Sequence, residues 1–184
     1  PTGRVRIAVP KRTEDESIRL FTISRLSWIK KHQRNFRAQR REAPREYISG
    51  ETHYFQGKAY RLQVVYENQP PKVVLQNKRF IQLQVRPESS REKRREVLRE
   101  WYRSQLKQEL PALIEKWEST TRLAAREWKV KQMRTKWGSC NIEAKRIWLN
   151  LELAKKPITC LEYIIVHELV HLLERHHNDR FLAY

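Results

Sequence analysis

The sequence is poor in the features that mark secreted and membrane proteins. Its 184 residues include only two cysteines, Cys140 and Cys160, whereas small secreted domains are stapled by several disulfides. No apolar run approaches the roughly 20 residues of a membrane span, and no signal peptide opens the sequence. We therefore expect both cysteines to be reduced, and we expect a cytoplasmic protein without a membrane partner.

Acidic residues are scarce relative to basic ones. The sequence has 21 Asp and Glu residues against 39 Lys and Arg residues, which gives a formal net charge of +18. Such an excess is typical of proteins that contact polyanions, such as nucleic acid or an anionic membrane face. Many of the charges fall at residues 34–45 and 91–103, where the polar faces of amphipathic helices would explain them equally well. Nucleic-acid contact and an ordinary solvated basic face are therefore alternatives.

Hydrophobic periodicity predicts an α+β fold whose N-terminal half is an antiparallel β layer with one basic helix. Ser24 is expected to cap this helix, which runs to about Arg41. Beyond it the apolar residues alternate, and Gly57 permits the positive φ of a tight hairpin turn. The predicted strands are residues 5–9, 20–23, 52–55, 58–66, 73–75 and 79–85, and the last four form a meander with buried rows at Leu62, Val64, Tyr66, Ile81, Leu83 and Val85.

The C-terminal half is predicted to be richer in helix. Ser89 or Ser90 caps a long charged helix that extends to about Thr121, and Pro111 kinks or restarts it. Two strands are predicted next, at residues 128–133 and 146–151, joined by a turn-rich connection at 137–141, and an apolar helix then starts near Pro157. We divide the chain into residues 1–88 and residues 89–184, which together form one compact unit.

The apolar helix carries the pattern HExxH at His167–His171. Positions i and i+4 of a helix share a face, so the imidazoles of His167 and His171 can bind one metal ion, with Glu168 beside it. A helix this apolar has little reason to hold such side chains unless they are paired or bind a metal. HExxH indicates a zinc hydrolase, which needs a third protein ligand. Either His176 or His177 can supply it, and spacing alone does not separate them.

Three imidazoles and one Zn²⁺ ion would support hydrolysis. Zinc lowers the pKa of bound water to about 7, and it polarises the carbonyl that is attacked. Glu168 is the expected general base, which takes a proton from this zinc-activated water and returns it to the leaving amine. The pattern therefore predicts a zinc metallopeptidase that acts on a protein or peptide substrate.

Several segments resemble the YgjP-like zinc metallopeptidases, relatives of the minigluzincins and the SprT-like proteases. They are Trp137-Gly138-Ser139-Cys140, Arg146-Ile147-Trp148-Leu149-Asn150, residues 166–172, His177 and Phe181. The resemblance implies a C-terminal zincin-like core around an HExxH active-site helix. It assigns the zinc to His167, His171 and His177, and the general base to Glu168. It also implies that the strand at residues 146–150 binds the substrate backbone.

A second hypothesis follows from the charge. The protein would be a basic nucleic-acid-binding protein with a structural or inactive zinc site. SprT-like relatives act on proteins attached to DNA, so a DNA-associated protease would combine both activities. The residue that helps zinc to hold the oxyanion is left open among Tyr163, His176 and Arg180.

Overall fold

The computed structural model describes residues 4–38 and 44–184. The fold is mixed α+β, as predicted, and it divides into two compact units, Pro1–Pro44 and Arg45–Tyr184. The boundary that we predict after residue 88 stays a prediction, because spatial compactness does not establish which segments fold independently.

The first unit contains two helices, α1 at Asp15–Ser24 and α2 at Leu26–Ala38. Both strands predicted in this region are wrong. Residues 20–23 lie within α1, and residues 5–9 belong to neither a helix nor a strand. The sequence predicts that residues 20–23 pair with residues 5–9, and the helical conformation of residues 20–23 removes that partner.

Local chemistry explains why α1 forms. Asp15 and Glu16 lie in its first turn, where negative charge complements the positive end of the helix dipole. Ser24 ends this helix instead of capping the next one, and its hydroxyl donates to the carbonyl of Phe21 at 2.7 Å. The predicted helix end near Arg41 lies outside the described residues.

The second unit begins with a four-stranded sheet in the order β1-β2-β4-β3. The strands are β1 at Thr52–Phe55, β2 at Lys58–Tyr66, β3 at Lys72–Gln76 and β4 at Phe80–Val85. Their positions agree with the sequence-based prediction. The predicted meander is wrong, however, since β2 and β4 pair in parallel.

Proline chemistry explains this arrangement of strands. Pro70 and Pro71 follow β2, and neither has an amide hydrogen to donate to a neighbouring strand, which disfavours pairing of this segment with β2. The next strand pairs instead with the far side of β4, whose inward side chains are 0% exposed. Tyr66 is exposed rather than buried, because it is the last residue of β2.

A long helix, α3 at Arg91–Thr121, packs against this sheet and the C-terminal elements. The Ser90 side chain caps it by accepting from the amide of Lys93 at 3.2 Å, which confirms the predicted start. The helix continues through Pro111 without the predicted restart. Pro111 lies on the exposed side, where water can bind the carbonyl that loses its helical partner.

A second sheet has the strand order β5-β7-β6. Its members are β5 at Glu127–Lys131, β6 at Gly138–Asn141 and β7 at Arg146–Asn150. The two predicted strands are present, but the connection predicted at residues 137–141 is largely the strand β6. Its small polar residues favour turns locally, and antiparallel pairing with β7 overrides that preference.

The remaining elements complete the second unit. A 3₁₀ helix at Leu151–Lys155 leads to α4 at Ile158–Val170, which begins after Pro157 as predicted. The sequence also predicts that Asn178 caps a helix that begins at Asp179, and the short helix α5 at Asp179–Leu182 is capped by Asn178. One core joins the two sheets to α3 and α4, with Leu62, Ile81, Leu98, Leu149 and Ile165 among its most buried members.

Within residues 4–38 and 44–184, no helix combines the length and the apolar character needed to cross a bilayer. The predicted cytoplasmic location stays a prediction.

Candidate active site

Three histidines come together at the C-terminal end of α4. His167 lies in the last turn of α4 and His171 directly follows the helix, so their rings are 4.8 Å apart between centroids. His177 comes from the connection to α5, and its Nε2 lies 3.2 Å from Nε2 of His167. One ligand nitrogen from each ring lies within 4.8 Å of the others. The three side chains can therefore hold one metal ion.

The spacing of the nitrogens fits a tetrahedral metal site. Zinc binds imidazole nitrogens at about 2.0–2.1 Å, which puts two such ligands about 3.3 Å apart. The 3.2 Å between His167 and His177 is close to this separation. Three imidazoles also leave one tetrahedral position for water or substrate, as in catalytic zinc sites.

Neighbouring groups hold the three rings in place. The Nδ1 group of His171 donates to the carbonyl of Glu174 at 3.0 Å, which leaves Nε2 free for a metal. The ring of Phe181 lies 4.7–5.1 Å from all three imidazoles, measured between centroids. Asn178 positions Phe181 by accepting from its amide at 3.0 Å. The rings are thus oriented before any ion binds.

Charge and burial keep His167 in the form that binds metals. Burial lowers the pKa of His167, and the neighbouring His171 and His177 lower it further. A neutral imidazole has a free nitrogen lone pair, whereas a protonated one does not.

His176 does not join this group. It is exposed, and its backbone amide donates to the carboxylate of Glu174 at 3.3 Å. Of the three side chains considered for the oxyanion, Tyr163 alone lines the cleft beside the histidines, while His176 and Arg180 do not. Tyr163 is 66% exposed, and its ring lies 5.9 Å from that of His167.

Glu168 lies on α4 next to His167 but is turned toward β6. Its side chain is buried, with 5% of the residue exposed. Burial raises the pKa of the Glu168 carboxyl to about 7, and the positive charge of Lys136 opposes this only in part. A carboxyl with such a pKa can both accept and release a proton near neutral pH.

Gly138 makes room for Glu168, a role that the sequence analysis missed. A Cβ at residue 138 would lie 2.6 Å from Cγ of Glu168 and 2.7 Å from its Cδ. No side chain can occupy this position unless the carboxylate moves. A glycine within a strand indicates such a close approach, but residues 137–141 were expected to form a turn.

The histidines and Glu168 line an open cleft of about 1090 Å³ between α4 and β6. The predicted role of residues 146–150 in binding substrate backbone is wrong. Those residues form β7, which is the central strand and pairs with β5 and β6 on its two sides. The strand at the sheet edge beside the cleft is β6, which can still pair with an extended peptide.

Asn150 fixes the loop that leads into β6, which the sequence analysis also missed. Its side-chain amide donates to the carbonyls of Lys136 at 2.7 Å and Met133 at 3.1 Å. Its carbonyl oxygen accepts from the amides of Met133 at 3.3 Å and Glu152 at 3.1 Å. The sequence signal of this role is a single polar residue, Asn150, at the end of a predicted apolar strand.

The two cysteines are free, as predicted. Cys140 lies on β6 in the cleft wall, and burial together with the charge of Glu168 raises the pKa of its thiol to about 11. It therefore stays protonated and is a poor nucleophile.

Comparison with known proteins identifies the family. A comparison with curated proteins gives no match. The family model described as YgjP-like, metallopeptidase domain, matches residues 1–184. The match covers the whole chain and includes the helix with the histidine pair and the strand with Gly138. The chain belongs to the YgjP-like metallopeptidase domain family.

Proposed function

We propose that the protein is a zinc-dependent peptidase with His167, His171 and His177 as the metal ligands. The observation that carries the proposal is the convergence of their three ligand nitrogens beside a buried glutamate on the same helix. Membership in a metallopeptidase family supports the reaction class. The open cleft and the edge strand β6 support an extended peptide as the substrate.

Proton transfer is assigned to Glu168. Bound zinc supplies a Lewis acid that polarises a carbonyl and lowers the pKa of water to about 7. The Glu168 carboxylate takes the proton of the attacking water and gives it to the leaving amine. Its burial beside Gly138 holds it in one place, and its pKa of about 7 suits both transfers.

Two other parts of the cleft bind the substrate in this proposal. The edge of β6 pairs with the substrate backbone, which fixes the peptide along the cleft. The hydroxyl of Tyr163 donates to the carbonyl oxygen of the scissile bond, where negative charge develops. Tyr163 is the candidate for this role because it alone of the three side chains considered lines the cleft.

Substitutions test the metal ligands and the base separately. We expect Glu168→Gln to keep stoichiometric zinc, measured by mass spectrometry, and to lose hydrolysis of a quenched peptide by at least about 10²-fold. His177→Ala should lose the zinc, while His176→Ala, its matched control, should keep it. An active Glu168→Gln protein would contradict the assigned base. If His177→Ala retained zinc and His176→Ala lost it, the third metal ligand would be His176 instead of His177.

The basic helix α2 favours a second candidate function, the binding of nucleic acid. It carries Lys30, Lys31, Arg34 and Arg37 and no acidic residue, and Trp28 is 60% exposed on the same helix. Lys and Arg pair with phosphates, and an exposed indole can stack on a base.

Binding of fluorescent DNA at several salt concentrations tests this candidate. The affinity should fall as salt rises, and replacing the four basic residues by Gln should reduce the slope. Faster cleavage of DNA-crosslinked protein than of free protein would indicate a DNA-associated protease. DNA binding without any peptide cleavage would favour a structural or inactive zinc site.

A further inference from the structure

A second concave site lies between α3 and β5. This groove has a volume of about 530 Å³, within the range of ligand-binding pockets. Its floor is apolar and consists of Leu110, Ile114, Trp128 and Val130. These side chains are buried or half-buried, so the groove offers an apolar ligand a surface that is already largely shielded from water.

The rim of the groove is positively charged. Arg103, Lys107 and Lys129 line it, and it has no acidic lining residue in the described part of the chain. Arg103 already pairs with Glu100 at 3.2 Å, and Lys129 pairs with Glu127 at 2.6 Å. Lys107 forms no ion pair with any residue in the ranges 4–38 and 44–184. It is therefore the cation available to a ligand.

One backbone carbonyl beside the groove lacks its helical hydrogen bond. Pro111 has no amide hydrogen, so the carbonyl of Lys107 receives no hydrogen bond from residue 111, and both residues line the groove. A peptide amide can satisfy this carbonyl. A phosphate chain has no donor for it, and it would need more free cations than the rim supplies.

The groove shares one lining residue with the cleft that holds the histidines. Trp148 lines both sites, and it lies on β7 opposite Ser139 of β6 and Lys129 of β5. A substrate strand paired with the outer edge of β6 lies three strand spacings from β5, which is about 14 Å or about four residues of extended chain. A substrate that leaves β6 and crosses Trp148 therefore reaches the groove within a few residues.

We propose that the groove is an exosite for the same protein substrate. A substrate segment about four residues beyond the part on β6 places an acidic side chain against Lys107 and an apolar side chain on the floor. This inference rests on the proposed peptidase function and adds a preference for acidic and apolar residues at a distance from the scissile bond.

Peptides with and without such a segment test the proposal. The probe is a quenched peptide with an Ala-Leu core, a flexible linker of about four residues and a Glu-Phe-Glu tail, made with the tail at either end. Its controls carry a Gln-Phe-Gln tail, a Glu-Ser-Glu tail or no tail. Binding is followed by fluorescence anisotropy, and cleavage is measured on the same peptides with zinc-loaded protein.

Lys107→Glu and Lys93→Glu are the matched protein variants. Lys93 lies on α3 about 21 Å from Lys107 and outside the groove. For the Glu-Phe-Glu peptide, we expect Lys107→Glu to weaken binding and raise KM about fivefold, with kcat and the KM of the tailless core unchanged. Lys93→Glu should leave both constants near those of the unmodified protein.

Three results would overturn the exosite. The first is equal binding of the Glu-Phe-Glu and control peptides, and the second is an equal effect of the two Lys variants. The third is an oligonucleotide that binds in a Lys107-dependent manner and displaces the bound tail. A failure of the peptidase proposal looks different, since the tailed peptide would then bind in a Lys107-dependent manner without being cut.

Discussion

At the scale of single residues, the contact between Gly138 and Glu168 sets the geometry of the candidate base. The two residues lie on different elements, β6 and α4, and the missing side chain of one makes space for the carboxylate of the other. A carboxylate held in this way has few other positions available. Its placement thus depends on a residue that has no functional group of its own.

We predict that Gly138→Ala lowers kcat about 10²-fold while zinc content stays unchanged. The added Cβ would displace the Glu168 carboxylate by about 1 Å, and such a misplacement of a reacting group costs roughly this factor. Steady-state cleavage and metal analysis measure the two effects. Ser139→Ala is the control, because Ser139 is the next residue on β6 and its side chain points to the other face of the sheet.

A shorter side chain at residue 168 separates displacement from general damage to the fold. On a Glu168→Asp background, the carboxylate is withdrawn by one methylene, and Gly138→Ala should then cost much less than about 10²-fold. Equal costs on both backgrounds would show that the glycine matters for another reason.

The residue pattern predicted part of this site and missed part of it. Helical spacing is local, so His167, Glu168 and His171 could be brought together from the sequence alone. Gly138 and Asn150 act across long stretches of chain, and neither their partners nor their distances can be read from local periodicity. The assignment of His177 over His176 came from a family resemblance, and all three ligand roles stay proposals.

At the scale of elements, one buried amide holds the loop between β5 and β6. Asn150 is 4% exposed. Its side-chain nitrogen donates to the carbonyls of Met133 and Lys136, and its side-chain oxygen accepts from the amides of Met133 and Glu152. This loop leads to Trp137 and Gly138 in the cleft wall. The position of the wall therefore depends on a residue at the end of the neighbouring strand.

We predict that Asn150→Ala lowers the free energy of unfolding by about 2–4 kcal/mol, because it removes four part-buried hydrogen bonds to backbone groups. Urea denaturation measures the change. Asn141→Ala is the control: Asn141 is exposed and accepts from the amide of Ala144 at 2.9 Å, so its replacement should cost less than about 1 kcal/mol. A cost for Asn150→Ala no larger than that of Asn141→Ala would contradict the anchoring role.

The prediction of elements succeeded where the sequence signal was local and failed where pairing decided the structure. Gly57 and the alternation around it predicted the hairpin of β1 and β2, and Ser90 predicted the start of α3. The pairing of β3 with β4 depends on Pro70 and Pro71 and on the buried row of β4. Strand periodicity locates a strand but does not identify its pairing partner. Residues 20–23 are a short apolar run, which periodicity alone assigns poorly to helix or strand.

At the scale of the whole molecule, we expect folding stability to depend on pH through His53. This residue is 3% exposed, and burial lowers its pKa; Arg45 and Lys155 act in the same direction, while Glu51 opposes them. Burial alone would raise the pKa of Glu51, but bonds from the amides of Glu46 and Tyr47 and from His53 lower it overall.

We predict that His53→Gln reduces the loss of stability between pH 7 and pH 5. The unfolded chain takes up a proton on His53 at a higher pH than the folded chain, so native stability falls as pH drops below the ordinary histidine pKa of about 6.5. Glu51 contributes in the same direction only at lower pH, near and below the ordinary glutamate pKa of about 4.3.

Unfolding by urea at a series of pH values, at fixed zinc, measures this dependence. His32→Gln is the control, because His32 is exposed. The prediction fails if His53→Gln and His32→Gln lose the same free energy between pH 7 and pH 5 as the unmodified protein.

His177 lies outside α4, in the connection to α5, and for this reason tryptic digestion can measure metal occupancy. An ion bound by all three rings would tie His167 to His177, ten positions apart, and so restrain the connection between them as a crosslink restrains a loop. Arg175 lies exposed within that connection. Trypsin should therefore cut after Arg175 slowly in metal-loaded protein and rapidly after chelation, and the rate of that single cut would report how much of a sample carries its metal.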